Sequence, residues 1–307
     1  MLLVTGGNGF IGTDLARGLK AADLPFRLAA RRSAREMIGV GNVNSTTDWS
    51  VALKGVATVI HLAGLAHQIS RPASLEEFRV VNVDGSANLA RQSAEAGARR
   101  FVFVSSIGVL GQTTTSGLRF SDKSPPNPVT PYALSKHEAE EALKRLCSDL
   151  GMELVILRPP LVYGASARGN FGRLVGLVKA GCPLPLLSIK NQRSMVSVGS
   201  LTRALITCAT KPKAANETFV VADMDPVSTP DVITAIAKGL RRKPHLFPFP
   251  PGILEFALRA AGRTAMAEGL LSSLAVDSSQ IAARLDWVPE AETLKAIEAQ
   301  FTSSGDL

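Results

Sequence analysis

The chain has 307 residues, 46% hydrophobic and 20% charged, a globular balance that excludes collagen-like, coiled-coil and wholly disordered chains. At about 150 residues per domain this allows two domains, or one large one with an ample core. Lys and Arg number 34 against 26 Asp and Glu, a formal charge of +8, which suits an acidic ligand, a nucleic acid or an anionic membrane surface.

The basic clusters are Arg31, Arg32 and Arg35, then Arg99 and Arg100, then Arg241, Arg242 and Lys243. They lack the interleaved aromatics of a single-strand binding platform, so nucleic acid is disfavoured as a partner. Cys147, Cys182 and Cys208 form no C-x-x-C pair; neither a disulfide framework nor a metal site is expected, and a reducing cytoplasm fits. The first apolar run, Leu2 to Val4, is much shorter than the apolar core of an export signal.

In chain order, residues 1–160 alternate short apolar strands with helical segments. Strands are predicted at 2–5, 26–30, 58–62, 101–105 and 153–158, and helices at 12–21, 76–96 and 132–150. Right-handed crossovers between parallel strands then dictate an α/β fold, a doubly wound parallel sheet of Rossmann-like form. After Arg158, Pro159, Pro160, Gly164, Gly169 and Gly172, followed by Gly181, Pro183 and Pro185, predict a loop-rich stretch facing substrate.

The chain returns to the sheet with a helix at 198–210 and a strand at 218–222. Helices of a smaller, mostly helical C-terminal part start near Thr229, whose hydroxyl caps ahead of Pro230, and near Ile253. The expected division is a dinucleotide-binding domain of residues 1–165 and 198–223, and a substrate domain of residues 166–197 and 224–307. Residues 247–276 are rich in Leu, Ala and Phe, but Glu255, Arg259, Arg263 and Glu268 interrupt them, so no transmembrane segment is expected. Amphipathic helices closing a small domain and a helix lying on a membrane surface both remain open.

Thr5-Gly6-Gly7-Asn8-Gly9-Phe10-Ile11-Gly12 places Gly6, Gly9 and Gly12 at G-x-x-G-x-x-G. A tight turn alone explains three glycines at this spacing poorly. With a strand before and a helix after, they admit a pyrophosphate to the positive end of the helix. The second strand ends in Arg31 and Arg32, with Arg35 near, where NAD enzymes carry an acid for the ribose hydroxyls. Arginine forks there suit a 2′-phosphate, so NADP(H) is the expected cofactor. A merely solvated arginine pair would leave the preference weak and NAD(H) possible.

Ser105 and Ser106 end the fourth strand, and Tyr132 and Lys136 lie one helical turn apart. At that spacing an ammonium beside the phenol is expected to draw its pKa down from about 10 toward working pH, making Tyr132 a proton shuttle. The glycine spacing, the Phe10-Ile11 pair and Ser106, Tyr132 and Lys136 together resemble the extended short-chain dehydrogenases/reductases, the NAD-dependent epimerase/dehydratase family, over nearly the whole chain. That resemblance implies catalytic roles for Ser106, Tyr132 and Lys136, with Lys136 also holding the nicotinamide ribose. It implies an adenine contact from Asp48, a cofactor wall from His61, Leu62, Ala63 and Gly64, and a structural role for Asn82. It also implies a homodimer paired through helices 76–96 and 132–150, although their apolar stripes could equally be intramolecular core.

Arg158-Pro-Pro-Leu-Val-Tyr163-Gly164, Asn170-Phe171 and Gln192-Arg193-Ser194 resemble substrate motifs of the family's nucleotide-sugar epimerases, dehydratases and reductases. The implied ligand is a UDP-sugar, with Arg193 on the diphosphate, Asn170 reaching diphosphate and sugar, Leu184 to Leu186 lining uracil, and Ser106 and Tyr132 at the sugar. Arg259 and Arg263 match no motif for a second phosphate-binding arginine, and His67 faces either the sugar or solvent.

Ile107-Gly108 stands where dehydratases use Asp-Glu, which argues against dehydration. A 4-epimerase that retains NAD and a 4-reductase that exchanges NADPH remain. Arg31, Asn191 to Ser194 and the stretch ending at Asp277 favour the reductase, resembling enzymes that reduce UDP-4-keto-6-deoxy-N-acetylglucosamine for O-antigen synthesis. A non-catalytic NADP-binding sensor is the alternative of another class; such relatives usually lack the Tyr or Lys retained here.

Overall fold

The computed structural model describes residues 1–66, 73–115, 117–290 and 292–302. Its frame is built from β1 (Leu2–Thr5), β2 (Phe26–Ala30), β3 (Met37–Gly39), β4 (Thr58–His61), β5 (Arg100–Val104) and β6 (Glu153–Arg158). A short parallel pair, β7 (Leu161–Tyr163) and β8 (Met195–Ser197), stands apart, and β9 (Thr218–Val220) closes the main sheet. The main sheet runs β3-β2-β1-β4-β5-β6-β9, every pair parallel. Central strands such as Leu2–Thr5 are buried along their whole length, as a parallel sheet covered on both faces requires. The strand order reverses between β1 and β4, so a crevice opens at their carboxyl ends, where Thr5 lies opposite both Ala29 and His61.

One face of the sheet is covered by α1 (Phe10–Ala21), α7 (Val198–Thr210) and α11 (Ser279–Leu285), around a core including Leu15, Leu19, Leu205 and Phe219. The other is covered by α2 (Ser50–Leu53), α4 (Gly85–Glu95) and α5 (Pro131–Asp149), around Trp49, Leu89, Phe101 and Leu143. The stripes of α4 and α5 therefore belong to the intramolecular core. The helix predicted at 76–96 is α3 (Leu75–Arg79), then a π-helical turn at Val80–Asp84, then α4. Strands predicted to reach residues 62, 105 and 222 stop at His61, Val104 and Val220, leaving the residues beyond as loops over the crevice.

The stretch expected to be loop contains a helix, α6 (Gly169–Lys179). Phe171, Val175 and Val178 recur at helical spacing and are buried. Of its glycines, Gly172 serves close approach: a Cβ on it would collide with the Ala167 carbonyl oxygen. With α8 (Thr229–Gly239), α12 (Thr293–Thr302) and the β7–β8 pair, α6 encloses a second core of Tyr163, Phe171, Ile233, Ile236, Ile297 and Phe301.

Helix α8 starts as expected, with a different cap. Ser228 Oγ accepts from Asp231 N, while Thr229 Oγ1 donates to the Leu270 carbonyl. Two further helices, α9 (Pro251–Ala260) and α10 (Thr264–Leu271), complete the chain's elements. Among the described residues no helix is long and apolar enough to cross a membrane.

Candidate active site

The glycine loop joins β1 to α1 under the crevice. Gly6 has φ +68°, and a Cβ on it would lie 3.0 Å from Ala63 N, so only glycine lets the loop press against the chain leaving β4. Gly9 is the N-cap of α1; no side chain caps it, and the first turn carries no acid. A Cβ on Gly9 would meet only the Gly6 carbonyl oxygen. Its open side and the first-turn N–H groups therefore fit a pyrophosphate. The Phe10 ring packs against Gly164, and Ile11 against the sheet core, so these two offer a cofactor their backbone rather than their side chains.

Beside this loop, Gly7 N donates to Ala29 O, tying it to β2. Arg31, Arg32 and Arg35 follow, all exposed. Among the described residues no acid pairs with them. Asp48 is exposed and accepts from Ser50 N at 2.8 Å, which holds its carboxyl below the usual range. Asn88 and Gln92 of α4 fasten its loop, each donating to Thr47 O at 2.8 Å.

The segment from His61 to Gly64 is fixed by a buried network that sequence spacing could not show. Ser86 Oγ donates to the Asn82 carbonyl at 2.6 Å, leaving an oxygen lone pair to accept from His61 Nε2 at 3.0 Å. His61 Nδ1 then accepts from Thr5 Oγ1 at 2.7 Å. Thr5 Oγ1 in turn accepts from Leu62 N and Ala63 N. Burial, and secondarily Lys136, push the His61 pKa down to about 3, so the ring stays neutral and does no acid–base work near neutral pH.

Asn82 sits in the π-helical turn with its amide satisfied. Its Oδ1 accepts from Leu65 N at 2.8 Å, and its Nδ2 donates to Leu65 O and to Ser135 Oγ, both at 3.0 Å. It thereby joins the wall after β4 to α5. His67 lies outside the described residues.

Thr130 caps α5 by accepting from Ala133 N, and Pro131 occupies the first turn. This start sets Tyr132 at the helix mouth and Lys136 one turn inside. Tyr132 meets Phe78 edge-on at 5.8 Å and is hydrogen-bonded to Ser106. Ser106 Oγ also accepts from Gly108 N at 3.1 Å. Lys136 is buried, with Nζ 4.2 Å from the centroid of the Phe103 ring. The chain thus gathers Ser106, Tyr132 and Lys136 at the carboxyl edge of β5.

The expected fall in the phenol's pKa is not found. Burial raises Tyr132 to about 12 against the lowering effect of the Ser106 hydrogen bond. Burial also lowers Lys136 to about 7, opposed by Glu140, so the ammonium is too weakly held to act as a strong fixed charge. Ser105 is buried, and its hydroxyl donates to Glu140 Oε1 at 2.5 Å. Glu140, one turn beyond Lys136, receives a two-pronged pair from Arg158, with Nε to Oε1 at 2.9 Å and Nη2 to Oε2. Tyr163, the only other tyrosine, is buried with its hydroxyl on Asp223 at 2.7 Å.

Of the motifs assigned to substrate, Arg158 to Gly164 spans the end of β6 and β7, and the others lie beyond β7. Asn170 is exposed in the first turn of α6. Leu184 is buried in the second core, its backbone paired with His245 and Phe247; Leu186 is buried beside it. Arg193 turns one nitrogen, Nη1, to the carbonyls of Glu268 and Ser272 at the end of α10. Burial lowers its pKa without neutralising it. No other described residue bonds its guanidinium, which leaves one edge of the fork for an anion.

The NAD dependent epimerase/dehydratase family model matches residues 2–222. The chain belongs to this family. It is 37% identical over 298 residues to a UDP-glucose 4-epimerase of Vibrio cholerae, covering 94% of this chain and 90% of that one. Among solved structures, MoeE5 in complex with UDP-glucose and NAD superposes with a TM-score of 0.80 at 23% identity, covering 99% and 98% of the two chains. The UDP-glucose 4-epimerase of Thermus thermophilus in complex with NAD gives 0.78 at 23%, covering 100% and 99%. These two structures bear on the fold alone, and they share it from end to end.

Proposed function

We propose that the protein is an NADPH-dependent reductase of a UDP-4-keto-6-deoxy-N-acetylhexosamine. It converts the C4 ketone to an alcohol, giving UDP-N-acetylquinovosamine or its C4 epimer for surface polysaccharide synthesis in the cytoplasm. The observation that carries this reading is the exposed Arg31 and Arg32 pair beside the glycine loop, with no acid paired to it among the described residues. An arginine fork attracts the 2′-phosphate that an acid would repel. A nucleotide-sugar substrate is supported by the Vibrio cholerae relative.

Bound NADPH would supply the hydride to C4. The first turn of α1 would hold the pyrophosphate, Arg31 and Arg32 the 2′-phosphate, Asp48 the adenine, and Lys136 the nicotinamide ribose. Arg193 offers its open edge to the UDP diphosphate and Asn170 approaches from α6, while Leu184 and Leu186, buried in the second core, back the uracil side. Ser106 donates a hydrogen bond to the C4 oxygen. Tyr132 gives that oxygen its proton as negative charge develops. With a pKa pushed up to about 12, the phenol is fully protonated at neutral pH, the form in which a reduction needs it.

Purified protein given the UDP-4-keto-6-deoxy-N-acetylglucosamine and NADPH is expected to consume the nicotinamide absorbance, more slowly with NADH. No consumption with either cofactor overturns the proposal. The 37% identity to a 4-epimerase favours a second reading, a UDP-hexose or UDP-N-acetylhexosamine 4-epimerase with tightly held NAD. NAD released on denaturing the purified protein, with C4 inversion needing no added cofactor, selects that reading. In either case we place two copies together through the outer faces of α4 and α5, checked by light scattering.

A further inference from the structure

Helix α9 is amphipathic, yet none of its residues is buried. Ile253, Phe256, Ala257 and Ala260 follow i, i+3, i+4, i+7 and point outward, with Phe256 74% exposed and Ile253 58%. Large apolar side chains are exposed beyond the helix as well. Phe247 is 41% exposed and accepts from the N–H of Leu187, itself 50% exposed, and Met266 on α10 is 41% exposed. A monomer surface seldom carries so many large apolar side chains on one segment without a partner.

Charge indicates which partner. Residues 241–263 contain five Arg and Lys, namely Arg241, Arg242, Lys243, Arg259 and Arg263, against one acid, Glu255. All five cations are exposed, and Glu255 is engaged by Arg259 at 2.9 Å. Arg259 lies three residues beyond Phe256 and so borders the apolar stripe. A second copy covering the stripe would add its own Arg259 and Arg263 to the same interface, with only Glu255 to offset them.

We propose that this face docks the protein on an anionic phospholipid bilayer, with α9 in the plane of the surface. Ile253 and Phe256 enter the acyl boundary, and the flanking arginines and lysine meet headgroup phosphates. The end of α10 is held by Arg193 and by Asn191, whose Nδ2 donates to Leu270 O and Ser272 O. Docking through α9 therefore fixes the substrate-side motifs relative to the membrane. The surface reading does not depend on which reaction the site performs.

The test is co-sedimentation of the intact protein with phosphatidylcholine vesicles, with and without phosphatidylglycerol. Partition is expected only with phosphatidylglycerol, falling as salt rises. It should weaken at least tenfold in an Ile253→Ser/Phe256→Ser variant, and likewise in an Arg241→Gln/Lys243→Gln/Arg263→Gln variant, with thermal unfolding unchanged in both. Absence of partition, or equal partition by the variants, overturns the proposal. So does a change of molecular mass on replacing Ile253 and Phe256, which would assign the stripe to a second copy of the chain.

Discussion

Tyr132 and Lys136 share a turn of α5, and burial moves their proton affinities in opposite directions, to about 12 and about 7. For Lys136 this makes the fold less stable where the amine is charged. The unfolded chain binds a proton up to about pH 10.5 and the folded one only to about 7, so stability rises with pH between those values. Lys136→Met should therefore stabilise the cofactor-free protein most below pH 7, by at most on the order of 5 kcal/mol, with the gain gone by about pH 10.5. Urea unfolding at pH 6, 8 and 10 measures it, and a gain that grows with pH contradicts this assignment. Tyr132→Phe removes the proton donor and leaves the cofactor cradle intact. Turnover should fall by about 10²–10⁴-fold while cofactor binding by fluorescence is retained; a sensor would keep its behaviour.

Helix α5 carries Tyr132, Lys136 and Glu140 at successive turns, and Glu140 anchors that line to the ends of β5 and β6 through Ser105 and Arg158. The carboxylate is fully buried and the guanidinium nearly so. Glu140→Ala leaves Arg158 charged without its partner, a loss of about 3–5 kcal/mol. Adding Arg158→Met should recover a large part of it in denaturant titrations, since no buried charge is then left uncompensated. If the double variant is no more stable than Glu140→Ala alone, the lost partner was not the cause. Tyr132 and Lys136 were legible in the sequence because one helical turn fixes their spacing. The Glu140–Arg158 pair was not, since two elements must first pack to bring residues 18 apart in sequence together. The same holds for the partners of Arg193, a residue the sequence singled out, because its bonds to the end of α10 span about 75 residues. Helix α6 was hidden by composition: its glycines read as loop, while the Phe171, Val175 and Val178 stripe was the better signal.

For the whole molecule, the doubly wound parallel sheet followed from alternating strands and helices, because right-handed crossovers leave few topologies. What the alternation could not supply was the lock at the crevice, where Thr5, His61, Asn82 and Ser86 come from β1, β4, the turn before α4 and the first turn of α4. That lock preorganises the loop a dinucleotide must meet, so binding should appear as stabilisation of the entire fold. A ligand at one hundred times its Kd contributes about 2.7 kcal/mol to the folded state. At about 2.1 cal/mol/K per residue, that moves the midpoint of a 307-residue chain by roughly 4 °C. At equal concentration NADP should raise the melting temperature more than NAD. Arg31→Asp should abolish the difference or reverse it, because losing charge-assisted bonds to the 2′-phosphate weakens NADP binding by about 1.5–3 kcal/mol, roughly 10- to 100-fold. Equal shifts from both dinucleotides in the unaltered protein, or an NADP preference unchanged in Arg31→Asp, would show that the arginines at the end of β2 are solvated and do not read the phosphate.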